Sequence, residues 1–555
     1  MGDNENRKVY KARQVKNYRE MVEYSCKNYA QNIAYKYKKD YTAKNIEYIE
    51  KKYEQVGKDI KAFGTGLLNL DLMGERIVVV GKNRYEWCIS YLATTCSNMV
   101  IVPIDKALPD IEMQRLIERS EAKAIIFDEK YLETVKKVQE KENSNLKTLI
   151  CMDNIQEKGI KTFNEILEEG RNQIKNGDKK YDNIEIDENK MSIMLFTSGT
   201  TNEPKAVMLS QANICANISN IACWVKLYPT DVLLSFLPIH HTFECTITFL
   251  YGFYSGSQVA FCDGLKHIQQ NLKEYKVSVF VAVPLVLETM YKKIQKAIEE
   301  QGKTGLIKKM TKISNTLLKA KIDIRKIVFK QILDNFGGHL RVVLYGAAPM
   351  NKATIIGYNN LGISLVQGYG LTETSPVVTA ETDKEKRPGS IGLALANLNL
   401  KIANPDNEGV GEITVKGPSV MLGYYKNPEE TKKVLKDGWF STGDYGYKDK
   451  DGFVYITGRK KDIIVLKNGK NVYPQEIEFL INKIPYIAES LVYSRDKDTT
   501  DTMLCAKIVY DKDAIKQMIG EKTEEEYKEI IWQEIKKINQ ELPIFKKIKN
   551  ITITT

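Results

Sequence analysis

Residues 197–205, TSGTTNEPK, hold three threonines, a serine, a glycine and a lysine behind the apolar run MSIMLF. The hydroxyls of Thr197, Ser198, Thr200 and Thr201, the backbone amides around Gly199 and the ammonium of Lys205 make a phosphate cradle by composition. It is not a Walker loop, because GxxxxGK[ST] is absent. Ser198 lacks the GxSxG elbow of a hydrolase nucleophile. On this loop alone, a polar surface turn reads as well as a phosphate site.

Other stretches bear on the choice. QGYGLTETSP (367–376) sets Tyr369 and Gly370 beside Thr372 and Glu373 on the turn after a strand. An aromatic ring there can stack on a purine, and a lone carboxylate can hold Mg²⁺ against phosphates. STGDYGY places Asp444 in a turn, where a carboxylate can accept both hydroxyls of a ribose. YITGRKKDIIVLKNGKNVYPQEIE adds Arg459 just ahead of an expected domain boundary.

The elements that must position these residues follow from hydrophobic patterning. RIVVVGKN (76–83), MVIVPID and KAIIFDE read as strands, separated by the helical stretches RYEWCISYLATTCSN and DIEMQRLIERSEA. Such alternation argues for βαβ units and parallel sheets. Strands recur at SQVAFCD, VSVFVAVP, RVVLYG and ISLVQGYG, and residues 286–335 read as helical and lysine-rich. After residue 380, short runs punctuated by Gly, Asn and Pro read as hairpins. A compact tail follows: a helix at 475–484, strands ESLVYS and MLCAKIVY, and the helix TEEEYKEIIWQEIKKINQEL. The expected fold class is α/β. A large domain (1–458) holds parallel sheets in βαβ layers, with a β-rich subdomain at about 381–458. A small, mobile α+β cap spans 461–555.

Bulk properties narrow the function. A chain of 555 residues divides into at least two domains, and 43% hydrophobic with 28% charged residues is ordinary globular composition. VSVFVAVPLVLETM is too short and interrupted to span a bilayer. MGDNENRKVYKARQVKN lacks the apolar core of a secretory signal. Nine cysteines without a CxxC pair argue against a zinc site or disulfide framework and suit reduced thiols, so the expected location is cytoplasmic. The net charge of +11 reads first as a solvated, lysine-rich surface, and second as attraction to an anionic membrane face or acidic substrate. No basic stripe or base-stacking motif points to nucleic acid.

TSGTTNEPKAV, YGLTETSP, STGDYGY and GRKKDIIVLKNGKNVYPQEIE occur in that order. Together they resemble the adenylate-forming superfamily of acyl-CoA synthetases, from about residue 20 to the C-terminus. VPLVLETMYKKI, LPIHHTFE and FGGHLRVVLYGAAP look like its long-chain fatty acid CoA ligase branch. The resemblance implies two half-reactions: a carboxylate attacks the α-phosphate of Mg·ATP, then the small domain rotates and the thiol of CoA displaces AMP. It implies that Thr197, Ser198, Gly199, Thr200, Thr201 and Lys205 line the triphosphate. Tyr369 and Gly370 would meet the adenine, with Gly346 and Ala347 as the opposite wall. Thr372 would touch the α-phosphate, Glu373 would hold Mg²⁺, and Asp444 and Arg459 would bind the ribose. His241 would be an aromatic gate near the carboxylate, Lys461 would lie at the hinge, and Gly469 along the pantetheine tunnel.

The sequence departs from the family pattern in places. Asn202 and Ala206 stand where the phosphate loop usually has glycine; Asn tolerates left-handed backbone, so the turn is expected to survive. The family's terminal Gly–Lys motif is not reached by ELPIFKKIKNITITT, and Lys546, Lys547 and Lys549 precede its position. A truncated chain, a natural short form, or a protein that binds without adenylating would each account for this. Loss of one charge-stabilising group costs about 100- to 1,000-fold in rate, so adenylation is expected to be impaired. The expected activity is ATP-dependent ligation of a long-chain fatty acid to CoA, with ATP, Mg²⁺ and CoA as cofactors. The alternatives are loading of an acyl carrier protein and a non-catalytic nucleotide- or acyl-binding module. Peripheral contact with the inner face of a membrane is a further expectation.

Overall fold

The computed structural model describes residues 4–197, 203–466, 471–496 and 502–555. The chain forms two compact units, one of residues 1–399 and 415–440, the other of residues 400–414 and 441–555.

The first unit is built on two large sheets. One has eight strands in the order Gly423–Tyr424, Lys205–Ser210, Met191–Thr197, Val100–Pro103, Arg76–Val80, Ala124–Phe127, Thr148–Cys151 and Ile160–Thr162. Its pairings are parallel from Met191–Thr197 onward and antiparallel among the first three strands. The second sheet has nine strands. Its parallel centre contains Ser364–Gly370, Val342–Tyr345, Val279–Ala282, Val232–Ser235, Gln258–Phe261 and Ile33–Lys38, with antiparallel partners at both ends.

The expected βαβ strands fall where the apolar runs put them. RIVVV shows no alternation of apolar and polar residues because a parallel sheet is covered on both faces, and Ile77, Val78, Val79 and Val80 are all fully buried. The intervening helix Tyr85–Cys96 is apolar nearly all round and is sequestered accordingly. The lysine-rich segment is helical as expected, chiefly as Pro284–Glu300 and Thr304–Lys319.

In the second unit, Val454–Arg459 pairs antiparallel with the Asp444–Lys448 part of the strand Trp439–Lys448. Ile487–Asp496 and Thr502–Tyr510 form an antiparallel pair, and Asn550–Thr554 lies parallel to the latter. The helix Glu524–Glu541 starts at a capping box. Thr523 Oγ1 accepts the Glu526 N–H at 3.3 Å, and the Glu526 carboxylate accepts the Thr523 N–H at 2.8 Å. Its buried face, Tyr527, Ile531 and Ile535, repeats every four residues and packs into one apolar cluster with Ile477, Ile508 and Ile551.

Candidate active site

The strands flanking the threonine-rich loop are antiparallel, with Thr197 opposite Lys205. Thr197 Oγ1 donates to the Lys205 carbonyl at 3.4 Å. Ser198, Gly199, Thr200, Thr201 and Asn202 lie outside the described residues. Lys205 Nζ lies 2.6 Å from a Glu430 carboxylate oxygen and 5.0 Å from the centroid of the Tyr424 ring. The short strand Gly423–Tyr424 pairs with Lys205–Ser210, and this pairing brings the ring there. Tyr424 in turn donates its hydroxyl to Glu373 Oε1 at 3.0 Å, and the Glu373 carbonyl accepts the Met421 N–H at 2.8 Å. Glu373 and Lys205 are thus tied together through one phenol. Hydrogen bonds from Lys205 and Lys433 hold the Glu430 carboxyl at a pKa of about 2. Burial, and then the facing Glu373 charge, raise that of the Tyr424 phenol.

Gly346–Ala347 and Tyr369–Gly370 stand at the carboxyl ends of the neighbouring parallel strands Val342–Tyr345 and Ser364–Gly370. In open α/β sheets that is where ligands bind. A Cβ on Gly346 would lie 2.7 Å from the Gly368 carbonyl oxygen, so only glycine lets these strand ends approach so closely. Ala347 follows with φ +69°, a left-handed conformation that sets the turn. Tyr369, Thr372 and Glu373 are half-buried. The turn Thr372–Thr374 is locked from below: Thr374 Oγ1 donates to the Pro376 carbonyl at 2.6 Å, and Asn217 bonds both the N–H and the C=O of Val377.

His240 and His241 occupy the loop between the strand Val232–Ser235 and a π-helix, Glu244–Tyr251. Asn83 braces this loop, donating to the Leu237 carbonyl at 2.7 Å and to Ser235 Oγ at 2.9 Å. Ser235 Oγ and Thr248 Oγ1 bond the two oxygens of Glu244 at 2.7 and 2.8 Å. Glu244 is fully buried, and desolvation pushes its pKa up to about 8 against the pull of these bonds. Burial also pushes His240 down to about 4, with Asp105 at 3.8 Å opposing the shift. His241 is solvent-accessible, yet the protein around it still desolvates the imidazolium and lowers its pKa. At neutral pH the pair presents uncharged aromatic rings.

In the second unit, Asp444 and Arg459 face each other in register, Arg459 Nε lying 2.7 Å from Asp444 Oδ1. The structure corrects one expectation. Asp444 lies within the strand Trp439–Lys448, not in a turn, and its side chain is 3% exposed. The glycines of TGDYG suggest a turn, but Gly443 at φ +72° and the register shift beyond Tyr445 are absorbed within the hairpin ladder. Lys461 is exposed in the single turn Lys460–Asp462, and Gly469 lies outside the described residues.

Sequence reasoning did not find Tyr424, Glu430, Asn83 or Glu244. The signals were GYYKNPEE, which places an aromatic and an acid six residues apart, and Glu244 three residues after His241 in HHTFE. Neither pattern shows which distant residue it meets. Among the described residues no group of three His, Cys, Asp or Glu side chains forms a metal cage.

Residues 22–425 match the model of the AMP-binding enzyme family, and residues 461–555 that of the AMP-binding enzyme C-terminal domain. The chain is 30% identical over 497 residues to the long-chain-fatty-acid–CoA ligase 6 of Mus musculus, covering 83% of this chain and 70% of that protein. It is 28% identical to a chloroplastic long-chain-fatty-acid–[acyl-carrier-protein] ligase of Arabidopsis thaliana, covering 88% and 76%. The ATP-bound crystal structure of MatB from Rhodopseudomonas palustris superposes with a TM-score of 0.72 at 22% identity, covering 96% of this chain and 95% of that one.

Proposed function

Since the chain belongs to the AMP-binding enzyme family, we propose that it activates a long-chain fatty acid with ATP and transfers the acyl group to CoA. In the first half-reaction a carboxylate oxygen attacks the α-phosphorus, the bond to the bridging oxygen breaks, and pyrophosphate leaves with the electron pair. In the second, the CoA sulfur attacks the acyl carbon, AMP leaves, and the thiol proton is lost to solvent. The observation that carries this reading is the convergence of Lys205, Tyr424 and Glu373 beside the strand ends that bear Gly346 and Tyr369.

The first half-reaction brings two anions together, so the protein's main task is to neutralise charge. Lys205, with the hydroxyls and amides of residues 197–201, would face the triphosphate, and Lys205 would exchange its Glu430 partner for phosphate oxygens. Tyr369 and the Gly346–Ala347 turn would sandwich the adenine, and Thr372 would donate to the α-phosphate. Asp444, held by Arg459, would accept the ribose hydroxyls. Glu373 suits Mg²⁺: it is a hard oxygen donor whose Oε2 makes no bond among the described residues, and Mg²⁺ is commonly held by one or two carboxylates plus substrate phosphates. Bound there, the ion would supply neutralisation of phosphate charge. The uncharged His241 ring would border the acyl carboxylate without trapping it as an ion pair.

We place the hinge at Lys461, with residues 461–555 as the cap whose rotation brings Gly469 to the thiol tunnel. The Arabidopsis relative's name keeps a second acceptor in view, the phosphopantetheine thiol of an acyl carrier protein. Incubation with ATP, a long-chain acid and either CoA or holo-carrier protein, read by mass spectrometry, decides between them. Acyl-CoA with stoichiometric AMP supports the reading; acylated carrier protein alone replaces CoA as acceptor. The positive net charge and an apolar substrate further support contact with an anionic membrane.

A further inference from the structure

One outer stretch of the chain is strongly basic. Residues 301–322 carry six lysines, at 303, 308, 309, 312, 319 and 321, and no acidic residue, in a chain whose net charge is +11. Most of this segment is the helix Thr304–Lys319, in which only Ser314 is buried. The helix is an outer layer of the first unit. It is anchored to the helix Lys352–Leu361 through Asn315 Nδ2, which donates to Asn360 Oδ1 at 2.9 Å. The half-buried Ile307, Met310 and Leu317 account for part of its apolar character.

The rest of that character faces solvent. Leu306 and Ile313, two turns apart and so on one face, are 56% and 41% exposed. Lys309 and Lys312 lie between them in sequence and are exposed too. Beyond the helix, Ile322 and Ile327 are 53% and 78% exposed. Lys308, Lys309 and Lys312 make no ion pair among the described residues, whereas elsewhere lysines commonly face a glutamate or aspartate. Single exposed aliphatic side chains are ordinary; Leu306 and Ile313 together, interleaved with unpaired lysines on one outer helix, are not.

We propose that the solvent face of this helix, with Leu306, Lys309, Lys312 and Ile313, docks the protein on an anionic lipid bilayer. Lysine ammoniums at headgroup level and aliphatic side chains inserted just below is the arrangement an interfacial amphipathic helix requires. A nucleic acid is a poor fit, because residues 301–328 contain no aromatic side chain to stack on bases, and the exposed isoleucines would be stranded against phosphate. The inference deepens the membrane contact named under the proposed function by giving it an address. It rests on that reading only for its purpose, delivery of an apolar acid.

Cosedimentation of the full chain with vesicles of phosphatidylglycerol in phosphatidylcholine tests it. The expected result is binding that needs phosphatidylglycerol and weakens steeply as salt rises. Lys308→Gln, Lys309→Gln and Lys312→Gln together should weaken partitioning about 100-fold. Leu306→Ser with Ile313→Ser should remove the binding that survives high salt. Both variants should retain the parent's pyrophosphate exchange with a detergent-dispersed acid, which shows that they fold and tests the ligase reading separately. Equal binding to pure phosphatidylcholine, no binding at all, or variants that bind like the parent would each overturn the proposal. So would stronger retention by an acidic protein or by RNA than by the vesicles at the same salt.

Discussion

Glu244→Gln should flatten the loss of stability as pH rises from about 5 to about 8. Glu244 is fully buried between Ser235, Thr248 and the loop that carries both histidines, and its pKa rises from the ordinary 4.5 to about 8. The folded state therefore holds a proton that the unfolded chain releases above pH 4.5. Stability contributed by the protonated carboxyl is full below that value and is lost as pH rises to about 8. The loss runs at about 1.4 kcal/mol per pH unit within the window, so about 3 kcal/mol between about pH 5.5 and about pH 7.5. His240, lowered from 6.5 to about 4, contributes the opposite slope between those values, but it is common to parent and variant and cancels in their difference; the thiol of Cys262, pushed up to about 11, titrates outside the range. Glutamine keeps the shape and hydrogen bonds without the charge. Unfolding free energies of parent and variant, measured by denaturant titration across that range, should diverge in favour of the variant as pH rises. Parallel curves would mean that Glu244 is not desolvated and that this network does not brace the histidine loop as described.

Three further outcomes follow from the site. Tyr424→Phe keeps the ring over Lys205 but removes the 3.0 Å bond to Glu373; for a half-buried carboxylate this should raise the Mg·ATP requirement by about 5- to 30-fold, or about 1–2 kcal/mol, in a magnesium titration of pyrophosphate exchange. Asp444→Asn should raise KM for ATP about 10- to 100-fold with a smaller effect on kcat, since a charged acceptor is replaced by a neutral one. Gly346→Ala places a methyl 2.7 Å from the Gly368 carbonyl oxygen and should destabilise the first unit by about 1–3 kcal/mol, seen as a lowered denaturant midpoint.

The central strands were legible because a strand buried on both faces must be a continuous apolar run, and Arg76–Val80, Val100–Pro103 and Ala124–Phe127 are such runs. The turn at Thr372–Thr374 was legible because its hydroxyls and glycine follow such a run directly. What escaped depends on residues far apart in sequence. Tyr424 reaches Glu373 because a two-residue strand joins the edge of a sheet built from residues 76–210, and nothing local marks GY as a strand. The Lys205–Glu430 pair spans more than two hundred residues for the same reason. Asp444 was misplaced because glycine is equally at home in a turn and in a hairpin ladder that absorbs a register shift.

The most direct measurement is exchange of labelled pyrophosphate into ATP, run across carboxylic acids from short to long chain. It reports formation of the acyl-adenylate alone, before any thiol is supplied. Exchange should depend on the acid, be strongest with long-chain acids and be lost in Glu373→Gln. ATP binding with no exchange for any acid would contradict the proposed activity.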